Sequence, residues 1–362
     1  MLRALRWLVA SSNPSNFESV REMRNARQID LPVEVASLES SSRIKQHKNY
    51  PLFALKLIVS GGLLAWIFIR ADLTEFSDAV TRTNLWFYGL SLPLMAIGLW
   101  VRSCKWKVLL SVQNAEVPLR DLLSLTYISM FLNNFFLGTL GGDAYRVYRT
   151  AGLSPSTSAA LSPVLMDRIT GFFAALWIVL LVGSGFLLGS GELVRIELLF
   201  VLAAMGAVVA VLIVAAIVYA PRVVALPILN LSPKIHRIAQ NVSDSLMLYR
   251  HRRGIVVTVI GLSLLFHFVQ TAAVYLFTLA AGGKVSVFAL LFISPLVGLL
   301  VMIPISLNGL GIQEGSYVFY LEKVGLSGAQ ALLVAVLARA AILLVSLVGA
   351  WLLLFRRRES RR

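Results

Sequence analysis

The chain has 362 residues, of which 58 % are hydrophobic and only 14 % charged, which leaves too little polar surface to cover a water-soluble fold. A net charge of +15 would suit nucleic acid, but the basic residues cluster at the ends of apolar runs, and no aromatic-basic module or zinc spacing occurs. A single cysteine, Cys104, excludes an intramolecular disulfide, and the four histidines (His47, His236, His251, His267) are scattered without ligand spacing. No metal, cofactor or nucleic-acid partner is therefore expected.

Residues 1–50 are polar, charged and rich in Ser and Asn, and predict a largely disordered cytoplasmic tail. From residue 51 the apolar runs begin. A spanning helix needs about 20 mostly apolar residues, and the segments 52–69, 86–104, 169–189, 198–219, 255–281 and 330–355 meet that length. Basic flanks give the orientation: Arg43, Lys45 and Lys48 place the amino terminus inside. Arg102, Lys105 and Lys107, the basic segment 221–254 and the tail 356–362 also fall inside, while 70–85 faces outward.

Two segments fit no simple crossing. Residues 118–168 turn apolar from Leu122 to Leu140, break at glycines and must return to the side they left. Residues 286–328 run apolar from Val287 to Ile303, break between Pro304 and Gly311 and must do the same from the opposite face. Non-helical backbone at membrane depth is tolerated only where it is buried in protein or lines a wet cavity. The expected fold is an all-α polytopic membrane protein with about six full spans plus two re-entrant broken-helix hairpins, its halves related as an inverted repeat. Between them, Pro233 to Arg253 carries Ile235, Ile238, Val242, Leu246 and Leu248, a spacing that suits an amphipathic helix on the cytoplasmic interface.

The breaks hold the chemistry. Leu137-Gly-Thr-Leu-Gly-Gly-Asp143 follows Asn133 and Asn134, and Leu307-Asn-Gly-Leu-Gly-Ile-Gln-Glu314 follows Pro304 and Ser306. They share a Leu-x-x-Leu-Gly core with a carboxylate close behind, and charge within a bilayer is costly enough to mark a site. Asp143 can pair with Arg146 one turn on, and Arg146 and Arg149 with backbone amides form a candidate headgroup site. Arg339 lies deep in the last span and needs a carboxylate, with Glu314 and Asp143 as candidates. Asn134, Asn308 and Gln313 complete the candidate substrate-binding set. Asp167, with Arg168 at the start of a span, reads as a boundary cap or a site residue, and His267 with Gln270 as a proton relay, a headgroup contact or an interhelical hydrogen bond. Gly185-x-x-x-Gly189 permits close helix packing. No nucleophile-base-acid order, phosphate loop or dinucleotide fingerprint occurs, so no catalytic residue is assigned.

At Asn133-Asn-Phe-Phe-Leu-Gly-Thr-Leu-Gly-Gly-Asp-Ala-Tyr-Arg146 and Pro304-Ile-Ser-Leu-Asn-Gly-Leu-Gly-Ile-Gln-Glu-Gly315 the chain resembles the flippase-like transmembrane domain of bacterial lysylphosphatidylglycerol synthases. The second motif carries the Gly-Leu-Gly-x-Gln-Glu-Gly signature, and the resemblance covers about residues 51–355. It implies an inner (cytoplasmic) membrane protein, multi-pass with both termini cytoplasmic. Its expected activity is flipping of an anionic or aminoacylated phospholipid or a polyprenyl-linked glycolipid. The chain ends at Arg362 without an aminoacyl-transferring domain, so lysine transfer from tRNA is not expected. The alternatives are a membrane-embedded lipid-modifying transferase, or a scaffold for a glycosyltransferase. Expected partners are membrane lipids and a separately encoded glycosyltransferase or aminoacyltransferase.

Overall fold

The computed structural model describes residues 50–70, 72–113, 117–135, 140–151, 160–190, 247, 249, 252–302 and 306–359. The expected tail at 1–50 lies outside them apart from Tyr50, as do the expected span at 198–219 and most of the interfacial segment 233–253. The side chains of the Gly185–Gly189 motif are not described either. Every regular element among the described residues is helical.

Helix α1 is Tyr50–Arg70, and the short α2, Leu73–Thr81, follows it. The Asp72 carboxylate caps α2 by accepting from the backbone N–H groups of Thr74 and Glu75 at 2.9 and 3.2 Å. Helices α3 (Leu85–Ser111), α6 (Leu161–Ser190), α7 (Arg253–Ala280) and α10 (Gly328–Glu359) each contain a stretch long and apolar enough to cross a membrane. Together with α1 they make the chain a polytopic helical membrane protein.

The remaining helices are short and come in pairs. Helix α4 (Leu119–Phe135) has 17 residues and α5 (Leu140–Ala151) has 12. Helix α8 (Val287–Val301) has 15 and α9 (Ile312–Lys323) has 12. At about 1.5 Å per residue, none of the four alone reaches across a hydrocarbon core of about 30 Å. Each pair folds back as a hairpin. Gly142, the third residue of α5, lies so close to α4 that an added Cβ would sit 2.2 Å from the Ser129 carbonyl oxygen. Only glycine admits that approach. In the second pair, Ser294 and Val297 of α8 line the same cavity as Gln313 and Tyr317 of α9.

The pattern hairpin-then-span thus occurs twice, as α4–α5–α6 and α8–α9–α10, and the copies are interlocked. Helix α4 packs along α10, while α8 packs along α6. Each hairpin rests on the span that follows the other one. The α4–α10 contact is tight enough that a Cβ on Gly349 would meet the Tyr127 carbonyl oxygen at 2.1 Å. The main apolar core joins Leu99, Phe277, Leu290, Ile293, Leu321 and Val334. A second core surrounds the fully buried Trp106, Leu109, Leu122 and Tyr249. The Tyr249 hydroxyl donates to the Leu109 carbonyl at 2.9 Å, which anchors the segment before α7.

Two expectations at the helix ends are corrected. Helix α3 continues past residue 104 to Ser111, and Lys105 and Lys107 within it are buried rather than forming a solvated cytoplasmic flank. Helix α6 begins at Leu161, so Asp167 lies nearly two turns inside it and is not a cap. The two corrected positions meet: Lys105 pairs with Asp167 at 2.8 Å inside the fold, a contact that periodicity and hydropathy do not register.

Candidate functional site at the two broken hairpins

In the second hairpin, the chain leaves α8 and forms a single 3-10 turn, Leu307–Gly309. Asn308 takes a left-handed conformation at φ 48°, ψ 36°, which asparagine adopts more readily than most residues. Gly311, at φ 83°, opens α9. The Ser60 hydroxyl of α1 clamps the turn by accepting from the Leu307 N–H at 3.0 Å. Two residues into α9, Glu314 does two things at once. One carboxylate oxygen accepts from the Gly311 N–H at 2.7 Å, and the other accepts from Arg339 Nε at 2.6 Å. Glu314 is 4 % exposed, so its charge is neutralised by the arginine and by an amide at the helix N-terminus rather than by water. Arg339 lies 11 residues beyond the start of α10, about 17 Å along the helix. Of the two candidate partners, Glu314 is the one that takes it.

In the first hairpin, Asn133 accepts from the Gly142 N–H at 2.7 Å and so ties the start of α5 to the end of α4. Asp143 follows, and Arg168 of α6 grips one of its carboxylate oxygens through Nε at 3.0 Å and through Nη2 at 2.5 Å. The expected partner, Arg146, is only 4.0 Å away and secondary. Asp167, next to Arg168, accepts from Lys105 at 2.8 Å and faces Arg102 at 3.5 Å and Arg146 at 3.7 Å. Arg149 is exposed and has no place in this cluster.

The two hairpins carry one device. Asp143 and Arg168 are 25 residues apart, and so are Glu314 and Arg339. In both cases a carboxylate in the first turn after a break meets an arginine Nε on the following span. Adjacent asparagines join the copies: Asn133 holds its own hairpin, and Asn134 accepts from the Asn308 side-chain amide at 2.6 Å. Asp143, Arg146, Glu314 and Arg339 therefore form two clusters, linked at Asn134–Asn308.

Several buried donors around that link find no partner among the described residues: Asn134 Nδ2, Arg339 Nη2 and the Ser306 hydroxyl. Leaving such a group unsatisfied costs about 1–3 kcal/mol, so these donors suit a polar guest, water or headgroup, at the link. Beside Glu314, Gln313 lines a cavity of about 160 Å³ with His267, Gln270, Ser294 and Tyr317. His267 itself hydrogen-bonds the Gly171 carbonyl across helices at 3.1 Å, which is the interhelical one of its three expected roles. Lys105, Asp167 and Arg168 escaped assignment as site residues, and Trp106 drew no notice. The repeated 25-residue interval is the sequence signal that could have found Arg168.

Four long apolar helices and two interrupted hairpins with buried acid–arginine pairs define the class: a polytopic helical membrane protein with polar machinery inside its helix bundle. Residues 53–349 match the family described as the lysylphosphatidylglycerol synthase transmembrane region, and the chain belongs to that family. A search of curated proteins finds none that matches.

Proposed function

We propose that the protein translocates an amphiphile across the cytoplasmic membrane, its polar headgroup passing between the two hairpins while the tails stay in hydrocarbon. The carrying observation is the group of buried donors at Asn134, Ser306 and Arg339 that find no partner among the described residues, placed where two helix breaks meet. Broken helices supply fixed dipoles and donors at membrane depth without dragging a bare charge through lipid. Asn134, Asp143, Arg146, Asn308, Gln313, Glu314 and Arg339 are the residues we assign to headgroup contact or to its support. Arg149, on an exposed face, serves at most as an entry contact.

The substrate classes that fit are an anionic or aminoacylated phospholipid and a polyprenyl-linked glycolipid. In this reading the chain is a transporter rather than an enzyme. Its partners are membrane lipids and a separately encoded glycosyltransferase or aminoacyltransferase. The basic tail at 356–362 sets the carboxyl terminus in the cytoplasm, with α2 outside. With Cys104 replaced, a cysteine at Ser77 on the exposed α2 is expected to react with an impermeant maleimide in intact cells, and one at Ser243 is not. The reverse pattern would invert the topology.

The test of transport is Glu314→Asp. The shorter side chain keeps its charge but cannot hold the Gly311 amide and Arg339 together, whose contacts are 2.7 and 2.6 Å in the native protein. In proteoliposomes with leaflet-resolved readout of labelled phospholipid and polyprenyl-glycan probes, translocation is expected to fall at least tenfold while the protein stays folded. Wild-type rates in the variant would mean that the carboxylate only holds its hairpin. Protein-free rates for every headgroup with the native chain would end the transport reading.

A further inference from the structure

The two acid–arginine pairs differ in what surrounds them. Glu314 and Arg339 balance each other, and the other groups at that break are neutral amides and hydroxyls. Around Asp143 and Asp167, four cations converge from three helices: Arg102 and Lys105 on α3, Arg146 on α5, and Arg168 on α6. Among the described residues two carboxylates face four cations, a surplus of two positive charges in a largely buried site.

The surplus is not evenly shared. Lys105 and Arg168 have short contacts with a carboxylate, at 2.8 and 2.5 Å. Arg146 does not. It is 2 % exposed, and its Nη1 lies 4.0 Å from Asp143 and 3.7 Å from Asp167, beyond hydrogen-bond distance of either. Its Nε is buried and finds no partner among the described residues. The guanidinium lies 5.0 Å over the ring of Trp106, whose own buried indole N–H also finds no partner among the described residues. A buried guanidinium held by an aromatic face but bonded to no anion is expensive, and the cost falls when an oxyanion completes it. The site is not sealed, because the side chains of Arg102 and Arg168 at its edge remain 28 % and 29 % exposed.

We propose that this cluster is a phosphate-binding site present in the first half of the repeat alone, with Arg146 as its central donor and Arg102 and Arg168 as its rim. Planar guanidinium groups match phosphate oxygens in pairs, and one phosphate diester or monoester carries the one to two negative charges that the surplus lacks. Asp143 and Asp167 fix the donors and keep the empty site from carrying all four charges unscreened. The site deepens the translocation reading, and rests on it for the expectation that the phosphate belongs to a lipid. The asymmetry gives the pathway a polarity: the phosphate docks at the first hairpin, and the neutral part of the headgroup faces the amides of the second.

The experiment is binding to the purified full-length protein in neutral detergent, by native mass spectrometry and thermal shift. Three probes are used: phosphatidylglycerol, a diacyl glycolipid with the same tails and no phosphate, and inorganic phosphate. Phosphatidylglycerol is expected to bind and to raise the melting temperature, and the neutral glycolipid is not. Arg146→Gln is expected to weaken phosphatidylglycerol binding at least tenfold. Trp106→Phe keeps the ring beneath the arginine, removes one donor, and is expected to weaken binding severalfold. Should Arg146→Gln fail to fold, Trp106→Phe and Arg102→Gln at the rim decide the matter. Inorganic phosphate binding as tightly as the lipid would support the oxyanion site but assign it to the free anion. Equal binding of the phosphate-free glycolipid, or unchanged affinity in the folded variants, would overturn the proposal. Retained selective binding with no flipping in proteoliposomes would remove the transport reading and leave the site standing.

Discussion

Arg339→Ala is expected to destabilise the protein by about 3–5 kcal/mol and to abolish transport, because it strands the buried Glu314 carboxylate in low dielectric. Glu314 is 4 % exposed, and its short 2.6 Å contact to Arg339 is its only ion pair among the described residues. The Gly311 amide would remain as a donor but carries only a partial charge. A double-mutant cycle with Glu314→Gln separates this pairing from a general loss of packing. The neutral glutamine removes the stranded charge, so the double variant is expected to recover at least about 1 kcal/mol over Arg339→Ala alone. Reversible unfolding in mixed detergent gives the stabilities. Strict additivity of the two substitutions would reject the pair as an energetic unit.

Asp167→Asn is expected to cost a similar amount, about 3–5 kcal/mol, for the opposite reason. The aspartate faces Lys105 at 2.8 Å, Arg102 at 3.5 Å and Arg146 at 3.7 Å. Asparagine keeps the shape and leaves those cations to repel one another in a buried place. Lys105, at 4 % exposure, suffers most. Adding Lys105→Met removes the worst repulsion and fills the same volume with an apolar chain, so the pair of changes is expected to restore part of the melting temperature. Phosphate-bearing lipid should rescue Asp167→Asn more than the native protein, since it supplies the missing negative charge. A melting temperature within a degree of the native one in Asp167→Asn would show that the cluster is already balanced by water and lipid headgroups.

The positions of these charges were legible in unequal measure. Glu314 and Arg339 stood out because each is isolated in a long apolar run, where a charge has no reading except a partner or a site. Their pairing left two candidates, since one-dimensional distance does not say which carboxylate a deep arginine meets. Lys105 was misread as a solvated flank, because a basic residue near the end of an apolar run obeys the same statistics whether it faces water or a buried aspartate. Asp167 was misread as a cap because the helix begins at Leu161, eight residues before the expected span at 169–189. The pull of Arg146 on Asp143, natural at three residues along a helix, yielded to Arg168 on the neighbouring span.

The sequence by itself determined the class of the protein, the two breaks and their carboxylates. Apolar content, helix length and glycine placement are local properties, and the bilayer's penalty for unpaired backbone leaves helices as the way for such a chain to satisfy itself. Only the tertiary structure decided that each hairpin packs on the span following the other, that Asn134 reaches Asn308 across the repeat, and that four cations gather at one half alone. Those facts rest on contacts between residues far apart in the sequence, 174 positions in the case of Asn134 and Asn308, whose energies depend on burial and geometry that no local pattern encodes.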